Sequence, residues 1–276
     1  RAIRDVYKRQ CEERNPPKLA PHQTNCKIPY AFGCCLETRK LQVYRGCVVV
    51  NPGNDARWSR LNMSDSSVVT MASNVMDASV RRGWHIAAAE SLTGGLLADA
   101  FVSVPGASRV FCGSAVTYDI HAKSKVLGVD CELLQSQGAV NQQVAMSMAA
   151  GAARVYRGCG WEYGTCAEDA ANFPILGLST TGVAGPGPDG DKPAGLVFVG
   201  LLLPGVADLR EELLSIGRLV LDQGDAVRMW NRVVDRDVAL AFELHEVGDR
   251  EAVRKASVYR LLHIAASMLG ADTCLQ

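Results

Sequence analysis

From residue 63 onward the apolar positions alternate between helical and strand-like spacing. Val68, Met71, Val75, Met76 and Val80 recur at intervals of one helical face. Asp65 or Ser66 is available as a cap and Gly83 as a stop, which predicts a helix between them. His85-Ile86-Ala87-Ala88 is a short apolar run and reads as a buried strand. Leu96, Leu97, Ala98, Ala100 and Phe101 then return to helical spacing. Val110 to Tyr118 is strand-like, Cys131 to Gln137 a short helix. Gln142 to Tyr156 carries Val144, Ala145, Met148, Ala149, Ala152 and Val155 at helical positions. Ile175 to Thr180 and Leu196 to Leu203 read as buried strands, Val238 to Val247 as a further strand, and Asp249 to Leu269 as a closing helix. Asp119-Ile120-His121 reads as an interruption of any helix. Arg157 to Pro174 reads as an inserted loop, and Arg210 to Val238 as a second long insertion. Helices and strands that alternate in this way predict an α/β layered domain.

Residues 1 to 62 do not share the pattern. Arg1 to Gln23 is charged and aperiodic, and Arg1 to Gln10 reads as a cloning or assembly remnant. Leu41 to Val50 has the content of one strand and ends at the turn signal Asn51-Pro52-Gly53-Asn54. The expectation is a non-domain segment over 1–62, disordered or foreign to the native protein, and a single domain over 63–270.

Composition removes several classes of function. Lys plus Arg and Asp plus Glu each number 29 in 276 residues, so no basic excess points to nucleic acid. No apolar run reaches the roughly 18 residues that would span a bilayer, and the N-terminus has no signal-peptide core. The expected setting is soluble and cytoplasmic, with no membrane partner. Of the ten cysteines, five fall before residue 48 and the rest are scattered. None forms a C-x-x-C pair, so neither a zinc site nor a disulfide framework is expected.

The candidate chemistry lies where the first strand turns into a helix. Ala89-Glu90-Ser91-Leu92-Thr93-Gly94-Gly95 puts a serine on a tight turn. Two glycines there permit close backbone approach, and free amides at the helix start suit an anion. That arrangement fits a nucleophile beside an oxyanion or phosphate. It also fits a Ser/Thr cap with glycines that only permit tight packing. A serine hydroxyl needs a base. Lys123 could serve if burial lowers its pKa, or could be a solvated surface lysine.

Further motifs follow in order: Pro105-Gly106-Ala107-Ser108, Gly113-Ser114-Ala115-Val116-Thr117-Tyr118, Ala122-Lys123, Leu127-Gly128-Val129, Gly138-Ala139-Val140, Thr181-Gly182-Val183-Ala184-Gly185-Pro186, Lys192-Pro193-Ala194-Gly195, and Gly248-Asp249-Arg250 with Arg254. In this order and spacing the chain resembles the CinA C-terminal domain family, the nicotinamide-nucleotide amidohydrolases, from about Val75 to Leu269. The resemblance implies a layered α/β/α domain with a central mixed sheet. It implies hydrolysis of nicotinamide mononucleotide to nicotinate mononucleotide and ammonia, a step of NAD salvage in the pyridine nucleotide cycle. It further implies a homodimer; no cofactor is expected, and no metal, because nothing in the sequence has ligand spacing. The implied roles are Ser91 as nucleophile, Lys123 as general base and Tyr118 as proton relay or orienting hydroxyl.

Substrate contacts are expected from Glu90, Thr93, Gly94, Gly95, Thr181, Gly182, Gly185 and Arg250. Amides near Thr93, Gly94 and Gly95 are candidates to hold the oxyanion. Thr180, Thr181 and the loop after them could hold a ribose or phosphate. Glu90 could orient Lys123, accept from the ribose, or be a solvated carboxylate. Arg250 and Arg254 are one turn apart and could clamp a phosphate or pair with acidic residues. Gly185-Pro186-Gly187-Pro188-Asp189-Gly190 matches a dinucleotide fingerprint only in letters, since its prolines and the strand that follows leave no helix to open. The chain departs from the family pattern at Leu92, where cysteine is frequent. It departs again at Tyr118-Asp119-Ile120, in place of Tyr-Ser-Asn, and at Asn141, in place of serine.

Overall fold

The computed structural model describes residues 65–157 and 173–270. The expected boundary near Met63, the segment before it and most of the Arg157–Pro174 loop lie outside the described residues. Seven α-helices and six strands alternate along the described chain: α1 (Asp65–Arg82), β1 (His85–Glu90), α2 (Leu96–Val102), β2 (Phe111–Val116), α3 (Ile120–Leu127), α4 (Cys131–Gln137), α5 (Gln142–Tyr156), β3 (Ile175–Gly182), β4 (Leu196–Leu203), α6 (Arg210–Asp222), β5 (Arg228–Val234), β6 (Asp237–His245) and α7 (Arg250–Met268). The strands form one sheet in the order β2-β1-β3-β4-β6-β5. β1 is parallel to both β2 and β3, while β3, β4, β6 and β5 pair antiparallel. The sheet is therefore mixed.

Period-two alternation sends successive residues of each strand to opposite faces. Ile86, Ala88, Leu176, Leu178, Val199 and Leu201 pack with α1, α2, α6 and α7. Ala87, Ala89, Ile175, Phe198 and Leu202 pack with α3, α4 and α5. The result is an α/β/α sandwich. Helix α5 lies almost on the strands: a Cβ at Gly177 or Gly200 would collide with the Ala149 or Ala145 carbonyl. No side chain other than hydrogen fits there.

One expectation is corrected and another is given its structure. Asp119-Ile120-His121 starts a helix rather than breaking one. The Asp119 carboxylate accepts from the His121 and Ala122 N–H groups at 2.9 and 3.2 Å, and Gly128 ends α3 in left-handed conformation. This is a side-chain cap followed by a glycine stop. Arg210 to Val238, read as a second insertion, is part of the layered fold. It supplies α6, which buries Leu213, Leu214 and Val220, and the edge strand β5. No helix among the described residues is long and apolar enough to cross a membrane.

Candidate active site

Chain connections set the location. From β1 the chain passes to β2 on one side of the sheet and returns through α3, α4 and α5 to β3 on the other side. The carboxyl end of β1 is thus a switch point, the place where open α/β sheets leave a crevice. Ser91 is the first residue beyond that strand. Its N–H donates to the Thr180 carbonyl at 3.0 Å, so it is held to the end of β3.

Lys123 reaches Ser91 from the first turn of α3. It is 1% exposed. Its Nζ lies 3.0 Å from Ser91 Oγ, 2.6 Å from the Thr117 carbonyl oxygen and 3.3 Å from that of Tyr118. Among the described residues no carboxylate hydrogen-bonds to it. Burial therefore disfavours the ammonium form and lowers its pKa to about 8, with a smaller opposing effect from Asp119. A neutral amine has two hydrogens and one lone pair. The two carbonyls can take the hydrogens, which leaves the lone pair for the Ser91 hydroxyl proton. The solvated-lysine alternative is excluded by this burial.

The structure brings Ser91 and Lys123 together but does not place the Tyr118 hydroxyl between them. Tyr118 is 62% exposed, and its hydroxyl accepts from Arg250 Nη2 at 2.9 Å. Its backbone carbonyl, not its phenol, touches the lysine. Arg250 also donates through Nη1 to the Gly185 carbonyl. That loop residue has φ +86° and precedes a cis proline. Arg250 so ties the start of α7 to both Tyr118 and the Gly185 loop.

Glu90 does not orient Lys123 and is not solvated. It is fully buried. Oε2 accepts from the Thr93 hydroxyl at 2.8 Å and from the Gly95 and Leu97 N–H groups at 2.9 and 3.0 Å. Oε1 accepts from the Ala98 N–H at 3.0 Å and the Ser114 hydroxyl at 2.8 Å. The start of α2 already holds an anion, and that anion is Glu90. Of the expected free amides, those of Gly94 and Gly95 are engaged, whereas the Thr93 N–H has no acceptor among the described residues. Gly95 serves Glu90, and Gly94, though exposed, donates to the Ser91 carbonyl at 3.2 Å. Thr93 is completely buried, and its hydroxyl also pairs with that of Thr180 at 2.8 Å. A substrate oxygen cannot reach it.

Thr181 and Gly182 are likewise engaged. The Thr181 hydroxyl, 1% exposed, donates to the Ala139 carbonyl at 2.7 Å. Gly182 allows β4 to pass, since a Cβ would collide with Leu196 and Val197. Beyond Ala139 lies a polar groove of about 520 Å³, lined by Ser136, Gln137, Gly138, Asn141, Gln142, Asp191 and Lys192. Asn141 replaces the family serine and caps α5, accepting from the Val144 N–H at 2.9 Å.

Sequence reasoning left the role of Arg254 open between a phosphate clamp and internal pairing. Its Nε donates to the Leu92 carbonyl at 2.9 Å and its Nη2 to the Thr93 carbonyl at 2.8 Å. Its partners are backbone carbonyls of the serine turn rather than carboxylates. The Leu92 N–H has no acceptor among the described residues. Among those residues no three His, Cys, Asp or Glu side chains are grouped to hold a metal ion.

Comparison with known proteins agrees with this framework. Residues 68–160 match the CinA C-terminal domain. A CinA-like protein of Dictyoglomus turgidum is 41% identical over 142 residues, 51% of this chain and 31% of its own length. A CinA-like protein of Frankia casuarinae is 44% identical over 130 residues, 47% of this chain and 26% of its own. The match thus spans about a third or less of these relatives. A competence/damage inducible protein from Agrobacterium tumefaciens has a similar solved structure, with TM-score 0.53 and 26% identity over 73% of this chain and 95% of its own. A CinA superfamily protein from Klebsiella pneumoniae shares the fold at TM-score 0.53 and 22% identity, over 74% and 98% of the two chains. The matched residues 68–160 carry the serine turn and the lysine helix, and over them the chain is similar to the CinA C-terminal domain.

Proposed function

We propose that this domain is a serine–lysine amidohydrolase and that its substrate is nicotinamide mononucleotide. The observation that carries the reading is the buried amine of Lys123, 3.0 Å from Ser91 Oγ and without a carboxylate partner among the described residues. Such an amine is neutral at mildly alkaline pH and can take a hydroxyl proton. Ser91 Oγ attacks the carboxamide carbon as its proton passes to Lys123. The carbonyl electron pair moves onto oxygen, and the oxyanion is stabilised by the Leu92 N–H, the amide next to the nucleophile. Collapse of the intermediate breaks the C–N bond, and the proton on Lys123 leaves with ammonia. Water, deprotonated by the same lysine, then hydrolyses the acyl-serine to nicotinate mononucleotide.

The substrate assignment is supported by the similarity to the CinA C-terminal domain and by the polar groove, where Lys192, 3.2 Å from the Asp191 carboxylate, offers a cation for the phosphate. A second reading, hydrolysis of another small amide, is favoured by one observation: the Thr181 hydroxyl and the Arg250 guanidinium already have partners within the protein. The test is ammonia release from nicotinamide mononucleotide beside a set of simple amides, with Ser91→Ala as the control. Release from the mononucleotide that vanishes in Ser91→Ala supports the first reading. Turnover of simple amides alone supports the second.

A further inference from the structure

We propose that Arg254 is a positioning residue for the nucleophile, fixing the peptide planes of the turn that carries Ser91. This rests on the reading of Ser91 as nucleophile. The three carbonyls that follow the Ser91 side chain are all occupied. That of Ser91 accepts from the Gly94 N–H, that of Leu92 from Arg254 Nε, and that of Thr93 from Arg254 Nη2. In a planar trans peptide, fixing the carbonyl also fixes the next N–H on the opposite side. A two-pronged guanidinium on consecutive carbonyls therefore sets two successive planes. One planar, always-charged group suits this, and an ammonium does not reproduce it. The remaining plane, Ser91–Leu92, is closed by the Gly94 bond, and it presents the unpaired Leu92 N–H.

The turn needs this support. Gly94 and Gly95 have φ of +59° and +106°, backbone that is otherwise free to reorient. Glu90 anchors the amides that follow, at Gly95, Leu97 and Ala98. Arg254 anchors the carbonyls that precede them. Close packing couples the two parts: a Cβ on Gly94 would sit 3.3 Å from Arg254 Nη2. The clamp comes from α7, on the face of the sheet opposite Lys123, so nucleophile and base are positioned from opposite sides.

The experiment compares wild type, Arg254→Met and Arg254→Lys in full-length protein. Two rates are measured: ammonia release from nicotinamide mononucleotide, and phosphonylation of Ser91 by a fluorophosphonate probe. The second needs only an activated serine, so it reads the clamp even if the substrate is misassigned. The expected result for Arg254→Met is a kcat loss on the order of 10- to 100-fold, from misplacement of the reacting atoms. KM should be nearly unchanged and phosphonylation slowed in parallel. Arg254→Lys should recover only part of the rate, and methylguanidinium should partly rescue Arg254→Met. A KM rise at constant kcat would overturn the proposal and make Arg254 a substrate contact. Unchanged phosphonylation would also overturn it. So would a rate loss that neither methylguanidinium nor lysine relieves and that tracks a fall in Tm, which would make the role one of general stability. If wild type releases no ammonia from the mononucleotide but Ser91 still reacts with the probe, the substrate assignment fails and the phosphonylation rates decide the clamp.

Discussion

Lys123 Nζ lies 3.0 Å from Ser91 Oγ, and the oxygens that take its other hydrogens belong to the backbone. Uncharged acceptors cannot hold the ammonium form as a carboxylate would. The pKa of about 8 gives a pH profile with a definite direction. Below it Lys123 is protonated and cannot accept from Ser91. As pH rises through about 8, kcat/KM should climb and then level off. A flat profile from pH 6 to 9 would remove Lys123 as the base.

The same burial makes a stability prediction. The folded pKa is depressed below the ordinary 10.5, so between about 8 and 10.5 the unfolded chain binds more protons than the folded one. Stability should therefore rise with pH across that window, and the cost of the buried charge is fully present below it. A depression of this size corresponds to about 3 kcal/mol. Lys123→Met should abolish turnover without lowering Tm at pH 7, because removal of that cost offsets the lost hydrogen bonds. Lys123→Arg should also be inactive, since arginine does not give up its proton. A Tm that falls by 10 °C in Lys123→Met would show that the lysine is structural.

Glu90 is predicted to matter for folding. Glu90→Gln sets an NH2 group against donors that now meet a carboxylate oxygen, including the Thr93 hydroxyl and the Gly95, Leu97 and Ala98 N–H groups. Buried unsatisfied donors cost about 1–3 kcal/mol each. Chemical denaturation should show a loss of about 3 kcal/mol or more. A variant as stable as wild type would mean that the Glu90 side chain does not hold the turn.

The phosphate is tested by substrate series. If Lys192 reads it, nicotinamide riboside and free nicotinamide should have lower kcat/KM than the mononucleotide. A charge-assisted contact is worth about 1.5–3 kcal/mol, or about one to two powers of ten. Lys192→Ala should narrow that gap by raising KM for the mononucleotide alone. Equal values for riboside and mononucleotide in wild type would favour the small-amide reading.

Much of the fold is legible in the sequence because its signals are local. The apolar spacing of Gln142–Tyr156 and the unbroken run Leu196–Leu203 match the observed elements residue for residue. Helix α3 is missed although its signals are present, an aspartate cap at 119 and a glycine stop at 128. Eight residues with few apolar positions give little periodicity to read. Strand β5 is missed because an edge strand, half in solvent, lacks an apolar run; only its pairing with β6 defines it. In the site, Ser91 and Lys123 are legible as residue types. The use of Glu90 is not, because its donors are spread from Thr93 to Ser114. That of Arg254 is not, because its partners lie more than 160 residues away.

That separation has a consequence for the newly made chain. Synthesis proceeds at about 5–20 residues per second, so the serine leaves the ribosome several seconds or more before the arginine that fastens its turn. In that interval β1, β2 and α3 are complete, and serine and lysine can already meet. The turn between them keeps the freedom of its two glycines until the last helix docks. Reactivity in this protein should therefore arise as a late event of folding, completed in the same step in which α7 docks and closes one face of the core.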